Sequence, residues 1–313
     1  MYDYLIAVVL GIVEGATEFL PVSSTGHMVL VGHMLGYDGL RAGVFEVFIQ
    51  LGAIMAVAVI YKEKILTMLH FNGWRPLLRR ESWRRSDTGL TLVHIAAGAV
   101  PVLPVGYLLH HFIKTYLFSV ETVLIGLVAG GVFMVLAEKS HRKTRCDDVD
   151  KLTVAQSFGI GLFQILALWP GFSRSGSTIA GGLFLGVGRK AAADFSFIMA
   201  VPVMLAACFY DLLKNMYVLT DNDFDMITIG FFVAFAVSYA SVYWFLNFLN
   251  RSTLTTFAVY WFIIAWLPCI SLGDTVSSGL LLSNARSGDT RCFRYVSSLY
   301  LSYRTIHCRR FIQ

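Results

Sequence analysis

The hydrophobic and polar positions along this chain divide it into long apolar runs separated by short charged segments. A transmembrane helix needs about 20 predominantly apolar residues, with a range of roughly 17–25. Six uninterrupted runs satisfy that length, and they cover residues 44–61, 90–109, 119–137, 194–213, 227–249 and 256–272. The pattern therefore predicts six transmembrane α-helices.

Two further apolar runs are each interrupted by a polar loop that begins at a proline, Pro21 or Pro170. The halves cover residues 4–20 and 26–36 in the first run, and residues 154–169 and 175–187 in the second. Each half is short for a full crossing. Because a broken helix is tolerated in a membrane where its loop lines a cavity, we predict two re-entrant helix–loop–helix hairpins.

The two interrupted runs match each other when the sequence is shifted by 150 residues without gaps. The matches pair Gly11 with Gly161, Glu14 with Gln164, Ser23 with Ser173, Gly26 with Gly176, Gly32 with Gly182, Gly36 with Gly186 and Phe45 with Phe195. Each half then contains one hairpin followed by three spans. Because each half crosses the membrane an odd number of times, the second half is inverted relative to the first. Inverted repeats are common in transporters, whose sites lie where interrupted helices meet.

The predicted fold class is thus all-α integral membrane, with six transmembrane helices and two re-entrant hairpins in an inverted repeat. The first repeat covers residues 1–137 and the second covers 154–272, joined by a cytoplasmic linker at 138–153. Residues 273–313 form an atypical tail that contains six arginines and no spanning run.

Composition supports a membrane protein, because 56% of the residues are hydrophobic and 14% are charged, whereas soluble domains carry about 25% charged residues. The mean hydropathy is +0.65. The net charge of +5 is explained by loop topology rather than by nucleic-acid binding, and we expect no nucleic-acid partner. Five scattered cysteines without a CxxC pair indicate neither a zinc site nor a disulfide framework.

The loop charges predict the orientation. Lysines and arginines cluster on one side of the predicted spans, in the segments 62–85, 139–151 and 189–190 and at Arg251. Before the tail, the opposite side has only Arg41, Lys114 and Lys214. The positive-inside rule makes the first side cytoplasmic, so the N-terminus lies outside. The N-terminal run lacks the basic segment of a cleaved signal peptide, and we expect it to belong to the mature protein.

Two carboxylates stand inside the first interrupted run. Glu14 and Glu18 are four residues apart and therefore share one helix face. An ionisable group at membrane depth costs roughly 2.5 kcal/mol or more and is usually functional. Carboxylate oxygens suit a hard divalent cation such as Mg²⁺ or Ca²⁺, so the pair predicts a metal site; the alternative is a polar seam between helices.

The loop that follows contains hydroxyl groups and an imidazole. Ser23, Ser24, Thr25 and His27 follow Pro21 closely. A hydroxyl beside an imidazole can form an activated nucleophile or transfer protons. The alternative is that the serines and the threonine cap the next half-helix, and both interpretations are compatible.

The second loop contains a lone arginine, Arg174, with Ser173, Ser175 and Thr178 around it and a glycine-rich backbone opening a helix. Helix N-termini bind phosphate, and arginine binds phosphate oxygens bidentately. Phosphate or pyrophosphate binding is the preferred interpretation; the alternative is an arginine paired to a glutamate for packing alone.

Together the two loops supply the groups that phosphoryl transfer needs, in which positioning and charge neutralisation dominate. A rival hypothesis is a transporter or flippase for an anionic lipid or phosphate compound, because inverted repeats with broken helices are a transport plan. A third is a non-catalytic membrane scaffold. Phosphate release that a chelator abolishes would separate the first hypothesis from the others.

The segments GIVEGATEFLPVSSTGHM and WPGFSRSGSTIAGGLFLGVGR resemble the two signature motifs of the bacitracin-resistance type undecaprenyl-diphosphate phosphatases. The resemblance covers about residues 1–266. It implies a bacterial inner-membrane enzyme with its site facing the periplasm, which recycles a lipid carrier for peptidoglycan synthesis by hydrolysing undecaprenyl diphosphate. A polyprenyl diphosphate and membrane lipids would be its partners, and a homodimer is left open.

The resemblance also implies roles for individual residues. Glu14 and Glu18 would hold the divalent cation, Ser24 would be the nucleophile, His27 the proton-transfer residue and Arg174 the phosphate-binding residue, with Ser173 and Thr178 as hydroxyls of the same loop. Whether a serine, the histidine or an activated water attacks stays open. The chain departs from the family pattern at Tyr260-Trp261, where the family usually has Tyr-Arg, and in the tail.

Overall fold

The computed structural model of the chain is helical almost throughout the part that it describes. That part comprises residues 2–37, 39–69, 89–117, 120–140, 144–215, 217, 219, 223–249 and 251–264. Among these residues the only β-pairing is an isolated bridge between Cys146 and Val187. The predicted all-α class is therefore confirmed, and the predicted tail at 273–313 lies outside the described residues.

Twelve α-helices follow one another along the described residues. They are α1 (Tyr2–Thr17), α2 (Ser24–Met34), α3 (Leu40–Ile60), α4 (Lys62–Leu69), α5 (Leu92–Ala99), α6 (Val102–Phe112), α7 (Val120–Ser140), α8 (Val154–Gln164), α9 (Arg174–Phe184), α10 (Arg189–Asn215), α11 (Asp223–Leu249) and α12 (Thr255–Ile264). A π-helical turn, Ile113–Leu117, continues α6, and a 3₁₀ turn, Ile165–Leu168, continues α8.

Within the described residues, five helical stretches are long and apolar enough to cross a membrane, and each overlaps one predicted span. They are Arg41–Ile60, Leu92–Phe112, Thr122–Ser140, Arg189–Asn215 and Asp223–Leu249. The sixth predicted span, 256–272, coincides with α12, which the structure describes only as far as Ile264. The chain is therefore a multi-pass membrane protein.

Both interrupted runs form a helix, a polar loop and a second helix, as the sequence predicted. In each pair the second helix ends in the same way. The N–H of Tyr37 donates to the carbonyl of Gly32 at 2.9 Å, and the N–H of Val187 donates to that of Gly182 at 2.9 Å. These positions differ by 150 residues, so the two second helices share this terminal hydrogen bond at positions that the shift pairs.

Glycines allow the first helix of each pair to pack closely on a span of the other half. α1 packs on α11 and α8 packs on α5. A Cβ atom on Gly11 would lie 2.8 Å from the carbonyl oxygen of Gly230, and one on Gly161 would lie 2.2 Å from that of Gly98. Small residues at such crossings let backbones approach within a membrane, where burial from water does not drive helix association.

Ion pairs at the ends of the helices join the loops that the charge pattern assigned to a common side. At one end Lys64 lies 2.6 Å from Asp150, and Arg189 pairs with Glu138 at the end of α7. At the other end Arg41 lies 3.0 Å from Asp223, across the N-termini of α3 and α11.

Candidate active site

The two polar loops enter their second helices through the same capping arrangement. Ser23 caps α2 and Ser173 caps α9, and their side chains accept hydrogen bonds from the N–H groups of Gly26 (3.3 Å) and Gly176 (3.2 Å). Both serines have a positive φ, 64° and 62°, which costs a non-glycine residue about 1–3 kcal/mol. Such a conformation persists only where the surrounding structure holds it in place, and residues strained in this way cluster at functional sites.

These loops bring three predicted site residues into direct contact. Nη2 of Arg174 lies 3.1 Å from Oε1 of Glu18, and the Ser24 hydroxyl donates a short hydrogen bond to Oε2 of the same carboxylate. Glu18 is 7% exposed and Ser24 is 8% exposed. The carboxylate of Glu18 thus connects the hydroxyl of one loop to the cation of the other inside the protein.

The guanidinium of Arg174 is held on its apolar side by two neighbours. Its Cζ atom lies 5.1 Å from the centroid of the Phe19 ring, and its Nη2 donates to Sδ of Met204 at 3.2 Å. Nε and Nη1 are buried and have no hydrogen-bond partner among the described residues. Because buried donors are normally satisfied, these two N–H groups fit a bound anion that accepts both.

Glu14 lies one helical turn before Glu18 and is 3% exposed. Its carboxyl group is close enough to interact with those of Glu18 and Glu46, and the cation that acts on it is Arg174. The carboxyl groups of Glu14 and Glu18 thus both act on one guanidinium, and Glu46 acts on Glu14. A divalent cation that prefers oxygen ligands fits this charge. The described residues contain no cluster of three or more His, Cys, Asp or Glu side chains with metal-binding geometry, so the fit rests on the Glu14–Glu18 pair.

The imidazole of His27 is held between two oxygens. Nδ1 lies 2.8 Å from the backbone carbonyl of Ser23, and Nε2 lies 2.6 Å from the hydroxyl of Tyr260 on α12. The carbonyl can only accept, so the hydrogen-bond network assigns the proton to Nδ1 and makes Nε2 the acceptor from Tyr260. The Ser24 hydroxyl is bonded to Glu18 rather than to His27. The hydroxyl that contacts the imidazole is therefore that of Tyr260 and not, as the sequence suggested, that of Ser24.

A polar cavity of about 150 Å³ opens at the Glu18–Arg174 contact. The sequence-predicted residues that line it are Glu18, Ser23, Ser24, Thr25, Ser173 and Arg174. Both loops contribute to this set, so the cavity lies where the two half-helices meet. Its volume suits a small polar group rather than a whole lipid.

Two hydroxyls of the second loop point elsewhere. The Ser175 hydroxyl donates to the carbonyl of Leu20 at 2.9 Å, and the Thr178 hydroxyl lies 2.6 Å from that of Ser196. Neither residue lines the cavity. In this structure Ser175 ties the second loop to the first, and Thr178 ties α9 to α10.

The cavity also has lining residues that sequence reasoning did not assign to the site, among them Gln50 of α3 and Met204 of α10. A signal for Gln50 was present, because a polar side chain four residues after Glu46 is unusual within an apolar span. Met204 gave no signal, since a methionine in an apolar helix is ordinary.

A larger apolar groove of about 530 Å³ adjoins the polar cavity. Side chains of α6 and α10 form most of its wall, including Val102, Leu103, Tyr107, Val203, Ala206 and Tyr210. Thr25, Ala167 and Pro170 line both spaces. A small polar pocket thus continues into a larger apolar one, the arrangement expected for an amphiphile with an anionic head group.

Comparison with known proteins places these features in a family. The family model described as "Bacitracin resistance protein BacA" matches residues 7–267, a range that includes both loops and every residue of the polar cavity. Curated proteins named "Undecaprenyl-diphosphatase 1" from Bacillus cereus, Bacillus thuringiensis and Bacillus anthracis are each 46% identical to this chain over 267 residues. The alignments cover 85% of this chain and 97% of each relative.

Proposed function

This chain belongs to the bacitracin resistance protein BacA family, and from that premise we propose how its structure performs the family's reaction. The enzyme hydrolyses undecaprenyl diphosphate to undecaprenyl phosphate and inorganic phosphate. This reaction returns the lipid carrier to peptidoglycan synthesis and confers resistance to bacitracin, which is consistent with the family name.

One observation supports our assignment of the site to this chemistry more than any other. The carboxylate of Glu18 contacts both the Ser24 hydroxyl and the Arg174 guanidinium at a cavity that continues into an apolar groove. A hydroxyl, its proton acceptor and an anion-binding group are thereby adjacent, and the groove provides space for a hydrocarbon chain.

Arg174 would bind the diphosphate. Its Nε and Nη1 donors, which have no partner among the described residues, would donate to oxygens of the terminal phosphate, while Nη2 stays on Glu18. Backbone N–H groups at the N-terminus of α9 add a favourable field for the anion. Thr25 and Ser173, which line the same cavity, would complete the polar contacts.

Ser24 is the proposed nucleophile, with Glu18 as its base. As Oγ of Ser24 attacks the terminal phosphorus, Glu18 accepts the hydroxyl proton, and the bond from that phosphorus to the bridging oxygen breaks to release undecaprenyl phosphate. Water then attacks the same phosphorus and the bond from phosphorus to Oγ breaks. Glu18 returns the proton to Oγ, and the protons of the water leave with the inorganic phosphate. Removal of a proton by a correctly placed base contributes about 10²- to 10⁴-fold to such reactions.

His27 is the proposed proton-transfer residue of the family's pattern, and its contacts suggest how it would be poised. Donation from Nδ1 to the Ser23 carbonyl and acceptance at Nε2 from Tyr260 fix both the tautomer and the ring orientation. Exchange of the Tyr260 hydrogen bond for one to water or substrate would let Nε2 take part in proton movement.

Glu14 and Glu18 would hold the divalent cation, Mg²⁺ or Ca²⁺. When bound, such an ion neutralises the charge of the diphosphate oxygens and of the two buried carboxylates. The rest of the catalytic arrangement comes from this chain's own side chains.

The apolar groove is the proposed site for the first isoprene units of the substrate. It adjoins the polar cavity at Thr25, Ala167 and Pro170, so a head group at Arg174 would direct its chain into the groove. Burial of the hydrocarbon would position the diphosphate without adding charge to the site.

The arrangement in the membrane is also a proposal. Six transmembrane helices and two re-entrant hairpins in an inverted repeat would place the N-terminus outside and the cavity towards the periplasm. Three observations support this arrangement. The helices α2 and α9 end with the same hydrogen bond, the first helix of each hairpin packs on a span of the other half, and the loop charges lie mainly on one side. The membrane would be the inner membrane of a bacterium.

The test is phosphate release from undecaprenyl diphosphate by the purified full chain in detergent, with Mg²⁺ or Ca²⁺ added. We expect hydrolysis that a chelator abolishes and that readdition of either metal restores. If metal-loaded protein released no phosphate but moved polyprenyl phosphate across vesicle bilayers, the hydrolase assignment would be wrong and the transporter hypothesis would take its place. Activity unaffected by chelation would contradict only the metal proposal.

A further inference from the structure

Gln50 is a polar side chain of the cavity that the proposed chemistry leaves without a role. It belongs to α3, whereas the nucleophile and the arginine stand at the starts of α2 and α9, so it reaches the cavity from a third element. Polar side chains within membrane helices are costly and are usually kept for function. Because Gln50 lines the cavity, a contact with a bound ligand explains this polar side chain better than a polar contact between helices does.

The orientation of the Gln50 amide follows from the hydrogen bond that it accepts from Cys208. The thiol of Cys208 lies 3.3 Å from Oε1 of Gln50 and donates to it. Because Oε1 is the acceptor, the amide nitrogen holds both of its N–H donors free for another partner. Nε2 has no hydrogen-bond partner among the described residues.

Gln50 and Arg174 are each held by a hydrogen bond to a sulfur atom of the same helix, α10. Met204 and Cys208 are four residues apart and therefore lie on one face of α10. Met204 accepts from Arg174 Nη2 at 3.2 Å, while Cys208 donates to Gln50 at 3.3 Å. The sulfur atoms on one face of α10 thus hold the side chains of Arg174 and Gln50 at the same cavity. Both side chains have N–H groups without a partner in the described part of the chain.

We propose that Gln50 is a substrate-binding residue whose amide N–H groups donate to phosphoryl oxygens of the diphosphate, and that Cys208 is a positioning residue that fixes the amide. This inference rests on the proposed function of the cavity as the diphosphate site. Arg174 supplies positive charge, whereas Gln50 supplies neutral donors from another direction. Since a phosphoryl oxygen that receives donors from two sides is held in a defined orientation, Gln50 would also favour in-line attack by Ser24.

The experiment compares Gln50→Met and Gln50→Ala with the unaltered chain, using undecaprenyl diphosphate as substrate and inorganic phosphate as a competitive inhibitor. Methionine retains the length and volume of glutamine but lacks its donors. We expect both variants to lower kcat/KM and to weaken phosphate inhibition by about 10- to 100-fold, the loss typical of a hydrogen bond to a charged group. Asn247→Ala removes an exposed amide of α11 and serves as the matched control, with unchanged kinetics.

Variants of Cys208 test its positioning role independently. Cys208→Ala should weaken phosphate inhibition a few-fold in the unaltered background and have no further effect in Gln50→Met, because the thiol acts through the amide. Cys208→Ser, which retains a donor, should restore most of the loss.

The outcomes are distinguishable. If the unaltered chain hydrolyses the substrate but Gln50→Met retains its kcat/KM and its inhibition by phosphate, Gln50 only fills space and the inference is overturned. Equal losses from Cys208→Ala in both backgrounds would overturn the positioning role. If the unaltered chain hydrolyses nothing, the proposed function fails first.

Discussion

Arg174 and Glu18 form a buried ion pair across 156 positions of the sequence, with 3.1 Å between Nη2 and Oε1. The side chains are 15% and 6% exposed. Each residue comes from a different interrupted helix, so the pair holds the two loops together. The second oxygen of Glu18 accepts from Ser24, which ties the proposed nucleophile to the same contact. A substitution at either charge therefore affects both the fold and the chemistry.

Replacement of Glu18 by glutamine should abolish catalysis. The amide cannot accept a proton from Ser24 or balance Arg174, and we expect phosphate release to fall by about 100-fold or more. Leaving the guanidinium buried without its partner should also cost roughly 3–5 kcal/mol of stability. Phosphate release and the detergent melting temperature measure the two effects.

Ser24→Ala separates the chemistry from the ion pair, because it leaves Glu18 and Arg174 in contact. It should lose activity without a large fall in melting temperature. Glu63→Gln, at an exposed position of α4, is the control and should behave like the unaltered chain. Full activity in both Glu18→Gln and Ser24→Ala would remove these two residues from the proposed mechanism.

Arg174 should not be replaceable by lysine. A lysine retains the charge but lacks the planar fork that can serve Glu18 and a phosphate together. We expect Arg174→Ala to weaken both substrate turnover and inhibition by inorganic phosphate by at least about 100-fold, and Arg174→Lys to recover only a small part. Steady-state kinetics give both quantities. Unchanged KM and kcat in Arg174→Ala would contradict the phosphate-binding role, and Arg251→Ala, at an exposed position, should have no effect.

The strained cap of α9 predicts an unusual order of stability. Ser173→Ala loses the hydrogen bond from the Gly176 N–H but keeps the positive φ, and should cost about 1 kcal/mol. Ser173→Gly loses the same bond but adopts that φ without strain, which should offset most of the cost. Thermal unfolding in detergent should therefore give Ser173→Gly a higher melting temperature than Ser173→Ala. The reverse order would show that this φ is not strained.

Two helical glycines should respond in opposite ways to alanine. A Cβ on Gly161 would lie 2.2 Å from the carbonyl oxygen of Gly98, whereas one on Gly43 would meet nothing within 4 Å. Gly161→Ala should therefore force α8 away from α5 and lower the melting temperature. Gly43→Ala should raise stability by up to about 1 kcal/mol, because alanine is the better helix former. Similar melting temperatures for both variants would contradict the close contact of α8 with α5.

Tyr260→Phe tests how the last described helix influences His27. The variant removes the hydroxyl that lies 2.6 Å from Nε2 but keeps the ring that stacks on the imidazole, with centroids 5.7 Å apart. If the tyrosine positions the imidazole for proton transfer, the pH–rate profile should shift while the melting temperature stays nearly constant. An unaltered profile together with an inactive His27→Gln variant would assign His27 a role independent of Tyr260.

Much of the architecture could be predicted from the sequence because hydrophobic length and interruption are local properties. The apolar runs predicted five of the long helices, and the prolines and glycines of the two loops marked where the interrupted helices break. The shift of 150 residues paired Ser23 with Ser173, and the structure shows that both cap the second helix of their pair. Charge within apolar segments made Glu14, Glu18 and Arg174 candidate site residues, since an ionisable group at membrane depth is costly and is usually kept for function.

Only the tertiary structure decided which of these groups touch. The sequence placed Ser24 beside His27, yet the fold pairs Ser24 with Glu18 and His27 with Tyr260, 233 positions away. Gln50 and Met204 became part of the cavity because α3 and α10 pass it, and nothing local specifies that crossing. Residue types and spacing determine what chemistry a segment can perform, because they act within one helix or loop. Which partners meet depends on how separate helices pack, and that is settled by the whole chain at once.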